Sequence, residues 1–309
     1  KCVVTGGAGF IGSHLVDRLL GLGVQVTVLD NFSTGRRENL DHVDGQIRVV
    51  DCELGTPGMW AREFEGTGWV FHLTALADIV PSIRNPQAYF FTNVNGTFNV
   101  LRASERGDVK RFIYVASSSC YGIPDEVPTK ETAEIRPQYP YALTKYLGEQ
   151  LVMHWCQVYN LPAVSLRFFN VYGPRSRTSG AYGAVFGVFL GQKVAKKPFT
   201  VVGDGEQTRD FTFVTDITQA IITAAKSDRV GQIYNVGSGA TVSVNRLVEL
   251  LGGDKVHIPK RPGEPDCTYA DIASIQTELG WEPRVPIEQG LVEILKNIDY
   301  WSEAPVWTP

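Results

Sequence analysis

The chain has 309 residues, enough for one large α/β domain or two smaller ones. Hydrophobic residues make up 43% of it and charged residues 20%, a composition that is typical of globular proteins and excludes a disordered or fibrous chain. Because 29 Lys and Arg stand against 33 Asp and Glu, the net charge of -4 offers no basic field for nucleic acid or an anionic membrane.

The five cysteines lie at scattered positions without CxxC spacing. This pattern indicates neither a zinc cluster nor a disulfide framework, so we expect reduced thiols, no bound metal and a cytoplasmic location. The chain opens on a strand pattern and not on a secretion signal, and no uncharged apolar run is long enough to span a membrane. We therefore expect a soluble protein that is not exported.

In chain order, short apolar runs alternate with helical patterns. The first run, 2–5, ends in glycines and is followed by apolar residues at helical spacing from Ile11 to Leu20. Further runs predict strands at 24–30, 47–51, 69–73, 111–116, 163–167 and 233–236. Strands that alternate with helices form a parallel sheet covered on both faces. We predict an α/β fold, a Rossmann-like doubly wound parallel sheet with a smaller C-terminal α/β substrate domain.

The pattern changes after Asn170, where Gly, Ser, Thr and Arg crowd the stretch 173–183. A helical run at 216–225 and the apolar run at 233–236 look like elements of the first domain again. We expect 1–170 to form one domain, with 210–240 returning to it. The second domain would then consist of 171–209 and 241–309.

The segment GGAGFIG at 6–12 contains a GxGxxG motif between a predicted strand and a helix. Asp30 follows 18 positions after the last glycine, which completes the dinucleotide-binding fingerprint. Glycines let the backbone approach a pyrophosphate at the helix N-terminus, and the acid binds the adenosine ribose and repels a 2′-phosphate. NAD is therefore favoured over NADP, although Arg36 and Arg37 could pair with a 2′-phosphate.

A second motif, YALTK at 141–145, opens a helical pattern. Tyr141 and Lys145 share one helix face at a spacing of four residues. A phenol with a pKa of about 10 is no base near neutrality, but an adjacent ammonium and an oxidised nicotinamide both favour its phenolate. The hydroxyls of Ser117, Ser118 and Ser119 follow the fifth predicted strand, at the strand end where open α/β sheets bind ligands.

These motifs together resemble the extended short-chain dehydrogenase/reductases, and within them the UDP-sugar 4-epimerases. The resemblance covers nearly the whole chain, because further segments follow in the order and spacing of the family: DN at 30–31, HLTAL at 72–76, NVNGT at 93–97, RFFNVYGPR at 167–175 and GDGEQTRDF at 203–211.

The resemblance implies roles for individual residues. Ser117, Tyr141 and Lys145 would be catalytic, with Tyr141 as the base and Lys145 orienting the nicotinamide ribose. NAD, tightly bound, would contact the following positions besides Tyr141 and Lys145: Gly6, Gly9, Phe10, Ile11, Gly12, Asp30, Asn31, Asp51, Leu73 and Asn93. The UDP-sugar would contact a further set: Ser118, Ser119, Asn170, Arg209, Arg261 and Thr268.

Departures from the family pattern bear on the reaction. Related dehydratases place Asp and Glu directly after the catalytic threonine. UDP-glucuronate decarboxylases keep a Glu two residues before the tyrosine of this loop. At these positions this chain has Ser118 and Ser119. Hydroxyls titrate too high to replace those acids and bases, so dehydration is disfavoured. The small Thr268 and the segment SGAY at 179–182 resemble the branch that accepts N-acetylated sugars.

The resemblance thus implies an NAD-dependent 4-epimerase of UDP-glucose or its N-acetylated counterpart, acting through a transient 4-keto intermediate. A UDP-glucuronate 4-epimerase, or another enzyme of the family that modifies nucleotide sugars, remains the alternative. A non-catalytic NAD-binding sensor is more remote, because such a protein would be expected to lose Tyr141 or Lys145. Helices after residue 93 and from residue 141 carry apolar stripes that relatives use to form a homodimer.

Overall fold

The computed structural model describes residues 1–176, 185–260 and 265–306. Its strands, in chain order, are β1 Cys2–Thr5, β2 Val26–Asp30, β3 Arg48–Asp51, β4 Trp69–His72, β5 Arg111–Ser117, β6 Ala163–Phe168, β7 Asn170–Tyr172, β8 Phe199–Val202, β9 Thr208–Arg209, β10 Phe211–Phe213, β11 Gln232–Val236, β12 Val242–Ser243, β13 Lys255–Ile258 and β14 Cys267–Thr268. Its α-helices are α1 Phe10–Gly21, α2 Ile79–Arg84, α3 Pro86–Tyr89, α4 Gly96–Arg106, α5 Pro140–Tyr159, α6 Val185–Val194, α7 Val214–Lys226, α8 Val244–Leu251, α9 Ala273–Leu279 and α10 Ile287–Lys296.

Seven parallel strands form one sheet in the order β11-β6-β5-β4-β1-β2-β3. The strands are short and most are buried along their length, as expected for a parallel sheet with helices on both faces. The strand order reverses between β1 and β4, which is the switch point where such sheets bind ligands. The predicted α/β, Rossmann-like fold is confirmed.

Two hydrophobic clusters cover the two faces of this sheet. One contains the apolar residues of α1 and α7, for example Leu15 and Ile221. The other contains those of α4, α5 and the 3₁₀ turn at Met59–Phe64, for example Leu101 and Val152. The helices therefore hold the carboxyl ends of the strands as a fixed edge on which a site can be built.

A third core lies in the C-terminal half, around Tyr172, Phe189 and Trp301. Three small sheets surround it: β10 pairs with β7, β13 with β8, and β9 with both β12 and β14. The strand β11 and the helix α7 belong instead to the large sheet and its cover. None of the helices in the described ranges combines the length and apolarity needed to cross a membrane.

Candidate active site

At two positions of the turn between β1 and α1, only glycine can be accommodated. Gly6 has φ +70°, and a Cβ there would lie 2.8 Å from the backbone nitrogen of Thr74. A Cβ on Gly12 would lie 2.1 Å from the carbonyl oxygen of Gly6. Gly9 caps α1, and a Cβ there would meet nothing closer than that same oxygen at 3.2 Å. The glycine turn and the N–H groups at the start of α1 thus form a cradle free of glycine side chains. Such a cradle fits a pyrophosphate.

Asp30 ends β2 beside this turn and is buried. Its two carboxylate oxygens accept hydrogen bonds from the backbone N–H of Ala8 at 2.9 Å and of Phe32 at 2.8 Å. Burial raises the pKa of the carboxyl, and the two N–H donors oppose that rise. Each oxygen keeps a second lone pair, so the carboxylate can also accept the hydroxyls of a ribose.

The two arginines that follow β2 already have protein partners. The Arg37 guanidinium lies 3.7 Å from the ring centroid of Phe32 and donates to Asp51 at 2.7 Å. The Arg36 guanidinium lies 5.0 Å above the ring of Tyr300. These contacts account for the positions of both arginine side chains without a 2′-phosphate. Asp51 shares its carboxylate with Arg37, and its predicted contact with the adenine stays a prediction.

Three of the other predicted cofactor residues lie around the glycine turn. Phe10 and Ile11 are the first residues of α1 and are partly buried. Leu73 follows β4, and its backbone packs against Gly6, with its N–H donated to the Thr5 carbonyl at 3.1 Å.

Two predicted cofactor residues use their side-chain amides within the protein. Asn31 turns its amide outward to Glu53 at 2.8 Å. Asn93 donates to the Leu76 carbonyl and to the Thr144 hydroxyl, both at 3.0 Å, and accepts from the Leu76 N–H at 2.8 Å. Because both Asn93 donor hydrogens are used, the side chain ties the 73–76 loop to α5. Its contact with the cofactor stays a prediction.

The structure brings the three predicted catalytic residues together at the carboxyl end of β5. Ser117 is the last residue of that strand, and Tyr141 and Lys145 lie one turn apart on α5, which packs against it. The Ser117 hydroxyl interacts with the phenol of Tyr141. Lys145 is buried, and its ammonium donates to the Val115 carbonyl at 2.6 Å.

Burial shifts the pKa values of both Tyr141 and Lys145. Burial raises the pKa of Tyr141, and the Ser117 hydroxyl only partly opposes the rise. Burial also lowers the pKa of Lys145 to about 7. The Lys145 ammonium is itself desolvated and directed at the Val115 carbonyl. The phenolate expected beside Lys145 and an oxidised nicotinamide stays a prediction.

Sequence reasoning missed the side chains that surround the phenol. The ring of Tyr139 is stacked at 6.3 Å from that of Tyr141, and the ring of Tyr89 meets it edge-on at 6.5 Å. Asp78, in the loop after β4, raises the pKa of Tyr141 through its charge. A tyrosine two positions before the motif was the only visible signal, because Asp78 and Tyr89 approach through the fold.

Ser118 and Ser119 begin the 3₁₀ turn that follows β5. The Ser119 hydroxyl accepts a hydrogen bond from the Ser117 hydroxyl at 2.9 Å, and its N–H donates back to Ser117. These serines therefore supply hydroxyls, not carboxylates, directly after Ser117. Both are partly exposed, so they remain accessible to a substrate.

Three predicted substrate residues meet in the C-terminal half. The Asn170 amide donates to the Thr268 hydroxyl at 2.8 Å, and Thr268 pairs in register with Arg209 across β14 and β9. Asp210 supports all three residues, although the sequence motifs did not single it out. Its buried carboxylate accepts hydrogen bonds from Ser238 and from the Ala270 N–H. The predictions for Arg261 and for the 179–182 segment lie outside the described residues.

In the described ranges, no group of three or more His, Cys, Asp or Glu side chains is placed to hold a metal ion. The site therefore consists of a glycine cradle, an acid at the end of β2, a Ser-Tyr-Lys cluster at the end of β5 and an Asn-Arg-Thr group in the C-terminal half. The profile of the NAD dependent epimerase/dehydratase family matches residues 2–237. The chain belongs to this family.

Individual relatives match over nearly the full length. The chain is 32% identical to a putative UDP-glucose 4-epimerase of Methanocaldococcus jannaschii, over 95% of this chain and 96% of the relative. Among solved structures, UDP-glucose 4-epimerase of Thermotoga maritima, determined with UDP-glucose, is 33% identical with a TM-score of 0.91, covering 97% of this chain and 98% of its own. UDP-glucuronic acid 4-epimerase of Bacillus cereus, in complex with UDP-glucuronic acid and NAD, is 29% identical with a TM-score of 0.90, covering 97% and 99%.

Similar proteins also include UDP-glucuronic acid decarboxylases and a dTDP-glucose 4,6-dehydratase. The dehydratase, from Streptomyces venezuelae, and the Bacillus cereus epimerase were both determined with NAD. The chain is an NAD-dependent enzyme of the extended short-chain dehydrogenase/reductase type, which removes the non-catalytic sensor as an alternative.

Proposed function

We propose that this enzyme inverts carbon 4 of a UDP-sugar, UDP-glucose or its N-acetylated counterpart, through a 4-keto intermediate. The observation that carries the proposal is the cluster of Ser117, Tyr141 and Lys145 at the carboxyl end of β5, at the same edge of the parallel sheet as the glycine turn after β1. Similarity to 4-epimerases over nearly the whole chain supports it.

Each residue of the cluster has a distinct part in this proposal. Tyr141 takes the proton of the 4-hydroxyl and later returns it, while Ser117 hydrogen-bonds the same oxygen. Lys145 stabilises the phenolate with its positive charge. Bound NAD supplies an acceptor and donor for the hydride of carbon 4, and in its oxidised form a positive charge that adds to that of Lys145. The glycine cradle and Asp30 hold this cofactor through its pyrophosphate and ribose.

The hydroxyls of Ser118 and Ser119 favour epimerisation over the other reactions of the family. Elimination across carbons 5 and 6 requires an acid and a base beside the tyrosine, and these positions offer neither. We propose that residues 171–209 and 241–309 hold the nucleotide sugar together with Asn170 of the first domain, with Asn170, Arg209 and Arg261 on the diphosphate. Guanidinium groups suit that task because they bind two phosphate oxygens at once.

We further propose a homodimer formed by α4 and α5. Large apolar side chains are exposed on these neighbouring helices: Phe98 is 40% exposed, Leu143 43% and Val158 52%. Solvent-exposed apolar side chains on adjacent helices are typical of an interface. The cytoplasmic location stays a prediction from the cysteine pattern. All five thiols are free in the structure.

The test is an NMR assay of the purified enzyme with UDP-glucose, UDP-N-acetylglucosamine and UDP-glucuronate, each without added coenzyme. Carbon-4 inversion of either of the first two supports the proposal and identifies the substrate. Inversion of UDP-glucuronate alone would replace it with the glucuronate 4-epimerase. Loss of carbon dioxide or water from any of the three would contradict the assignment of Ser118 and Ser119.

A further inference from the structure

A third side chain continues the catalytic face of α5. Glu149 lies one turn after Lys145, and its carboxylate is 1% exposed. The Arg167 guanidinium, on the neighbouring strand β6, approaches the carboxylate with Nη2 at 2.6 Å and Nε at 3.0 Å. The Ser165 hydroxyl adds a third hydrogen bond at 2.9 Å. Tyr141, Lys145 and Glu149 thus follow one another at successive turns of α5, and the last of them forms a buried ion pair with Arg167.

Arg167 makes further hydrogen bonds besides those to Glu149. Its Nη1 donates to the Tyr121 phenol at 2.8 Å and to the Glu131 carbonyl at 3.1 Å. The Tyr121 phenol in turn donates to the side chain of Asn235, on β11, at 2.7 Å. The guanidinium therefore has partners on α5, in the 3₁₀ turn after β5 and at the Glu131 carbonyl. A buried pair with so many partners cannot rotate or leave without exposing an uncompensated charge.

The Lys145 ammonium has few other charged neighbours. It lies 4.5 Å from the ring centroid of Tyr114 on β5, whose phenol donates to the Lys145 carbonyl at 3.1 Å. His72 on β4 faces it, and burial lowers the pKa of that imidazole to about 3, which keeps it neutral. Tyr141 lies one turn earlier. In the part of the chain that the structure describes, Glu149 is the only carboxylate that acts on Lys145 to favour its charge.

We propose that Glu149, held in place by Arg167, is a positioning residue that keeps the ammonium of Lys145 charged, one turn of α5 from Tyr141. The inference rests on the proposed function for the meaning of that charge. A neutral lysine could not stabilise a phenolate. Burial alone drives a lysine toward its neutral form, and a carboxylate on the next turn of the same helix face opposes this. Arg167 and Ser165 hold the carboxylate in place by hydrogen bonds on the helix face that it shares with Lys145.

The decisive experiment measures the pKa of Lys145 directly. The enzyme is labelled with isotope-enriched lysine, the Lys145 resonance is assigned with Lys145→Arg, and the side-chain shift is followed by NMR as the pH is changed. Glu149→Gln removes the charge but keeps the size of the side chain, so we expect the pKa to fall by about one unit or more. The matched control, Glu149→Asp, keeps the charge, and its pKa should stay close to that of the unaltered enzyme.

A second variant covers the case in which Glu149→Gln does not fold because Arg167 is left buried without a partner. Combining Glu149→Gln with Arg167→Met removes both charges and leaves no unpaired ion, an exchange that buried pairs often tolerate. The pKa of Lys145 should fall again, but by less than in Glu149→Gln, because a cation is removed together with the carboxylate. If both variants leave the pKa unchanged, or if Glu149→Asp lowers it as far as Glu149→Gln does, the proposal is wrong.

A pH profile of turnover separates this inference from the proposed function. Activity that needs a charged Lys145 falls as the pH rises through its pKa, so the alkaline limb of kcat should move to lower pH in Glu149→Gln and stay in place in Glu149→Asp. A purely structural role would reduce kcat in both variants without moving the limb. If the enzyme proves not to be an epimerase, the NMR titration still decides whether Glu149 controls the charge of Lys145.

Discussion

Arg37 and Asp51 form an ion pair where the adenosine end of the cofactor is expected. The pair is exposed, with a distance of 2.7 Å and with side chains that are 63% and 60% accessible, so it adds little to stability. We expect its effect to be on selectivity, because Asp51 neutralises a guanidinium that could otherwise attract a 2′-phosphate. Together with the carboxylate of Asp30 it leaves this end of the sheet unfavourable to NADP.

Asp51→Asn should therefore shift the cofactor preference. The freed Arg37 can pair with a 2′-phosphate, so we expect the ratio of NADP to NAD affinity to rise about fivefold, as calorimetry would measure. Glu63→Gln is the matched control, since it frees Arg48 at the opposite end of β3. A ratio that is the same in Asp51→Asn as in the unaltered enzyme would contradict this account of the two arginines.

At the scale of elements, His72 connects three of them. Its Nδ1 lies 2.7 Å from the Thr5 hydroxyl on β1, and its Nε2 lies 2.9 Å from the Thr97 hydroxyl on α4. Burial lowers its pKa from 6.5 to about 3, so the folded protein holds it neutral. Between pH 6.5 and about pH 3 the unfolded chain therefore binds more protons than the folded protein does. The free energy of unfolding must then fall as the pH falls through this range.

We expect this histidine to contribute about 3 kcal/mol to the loss of stability between neutral pH and about pH 4. His72→Gln keeps one hydrogen bond but cannot titrate. Its urea unfolding free energy should therefore be lower at neutral pH and should decline less steeply with acid. Equal slopes for the two proteins would show that His72 does not carry this dependence.

The elements of the large sheet could be predicted from the sequence because parallel strands are buried on both faces and appear as continuous apolar runs. The strands β9, β12 and β14 have two residues each and depend on partners far away in the chain, so no local pattern marks them. The same limit applies to the site. Tyr141 and Lys145 share a local motif, whereas Glu149 and Arg167 meet only when α5 packs against β6.

At the scale of the whole molecule, the exposed apolar side chains on α4 and α5 predict assembly. Phe98→Glu places a charge in the proposed interface, so the enzyme should become a monomer by light scattering. Val292→Glu, on α10, changes a side chain of similar exposure outside that interface and should leave the mass unchanged. A native mass that is the same with and without Phe98→Glu would rule out this interface.

The most direct test of the account as a whole compares the unaltered enzyme with Tyr141→Phe, which removes a single oxygen. Carbon-4 inversion of the UDP-sugar, followed by NMR, should fall by at least about a thousandfold, because the proton of the 4-hydroxyl then has no acceptor. Calorimetry should show that UDP still binds with nearly the same affinity. Inversion at an unchanged rate in Tyr141→Phe would contradict the central claim.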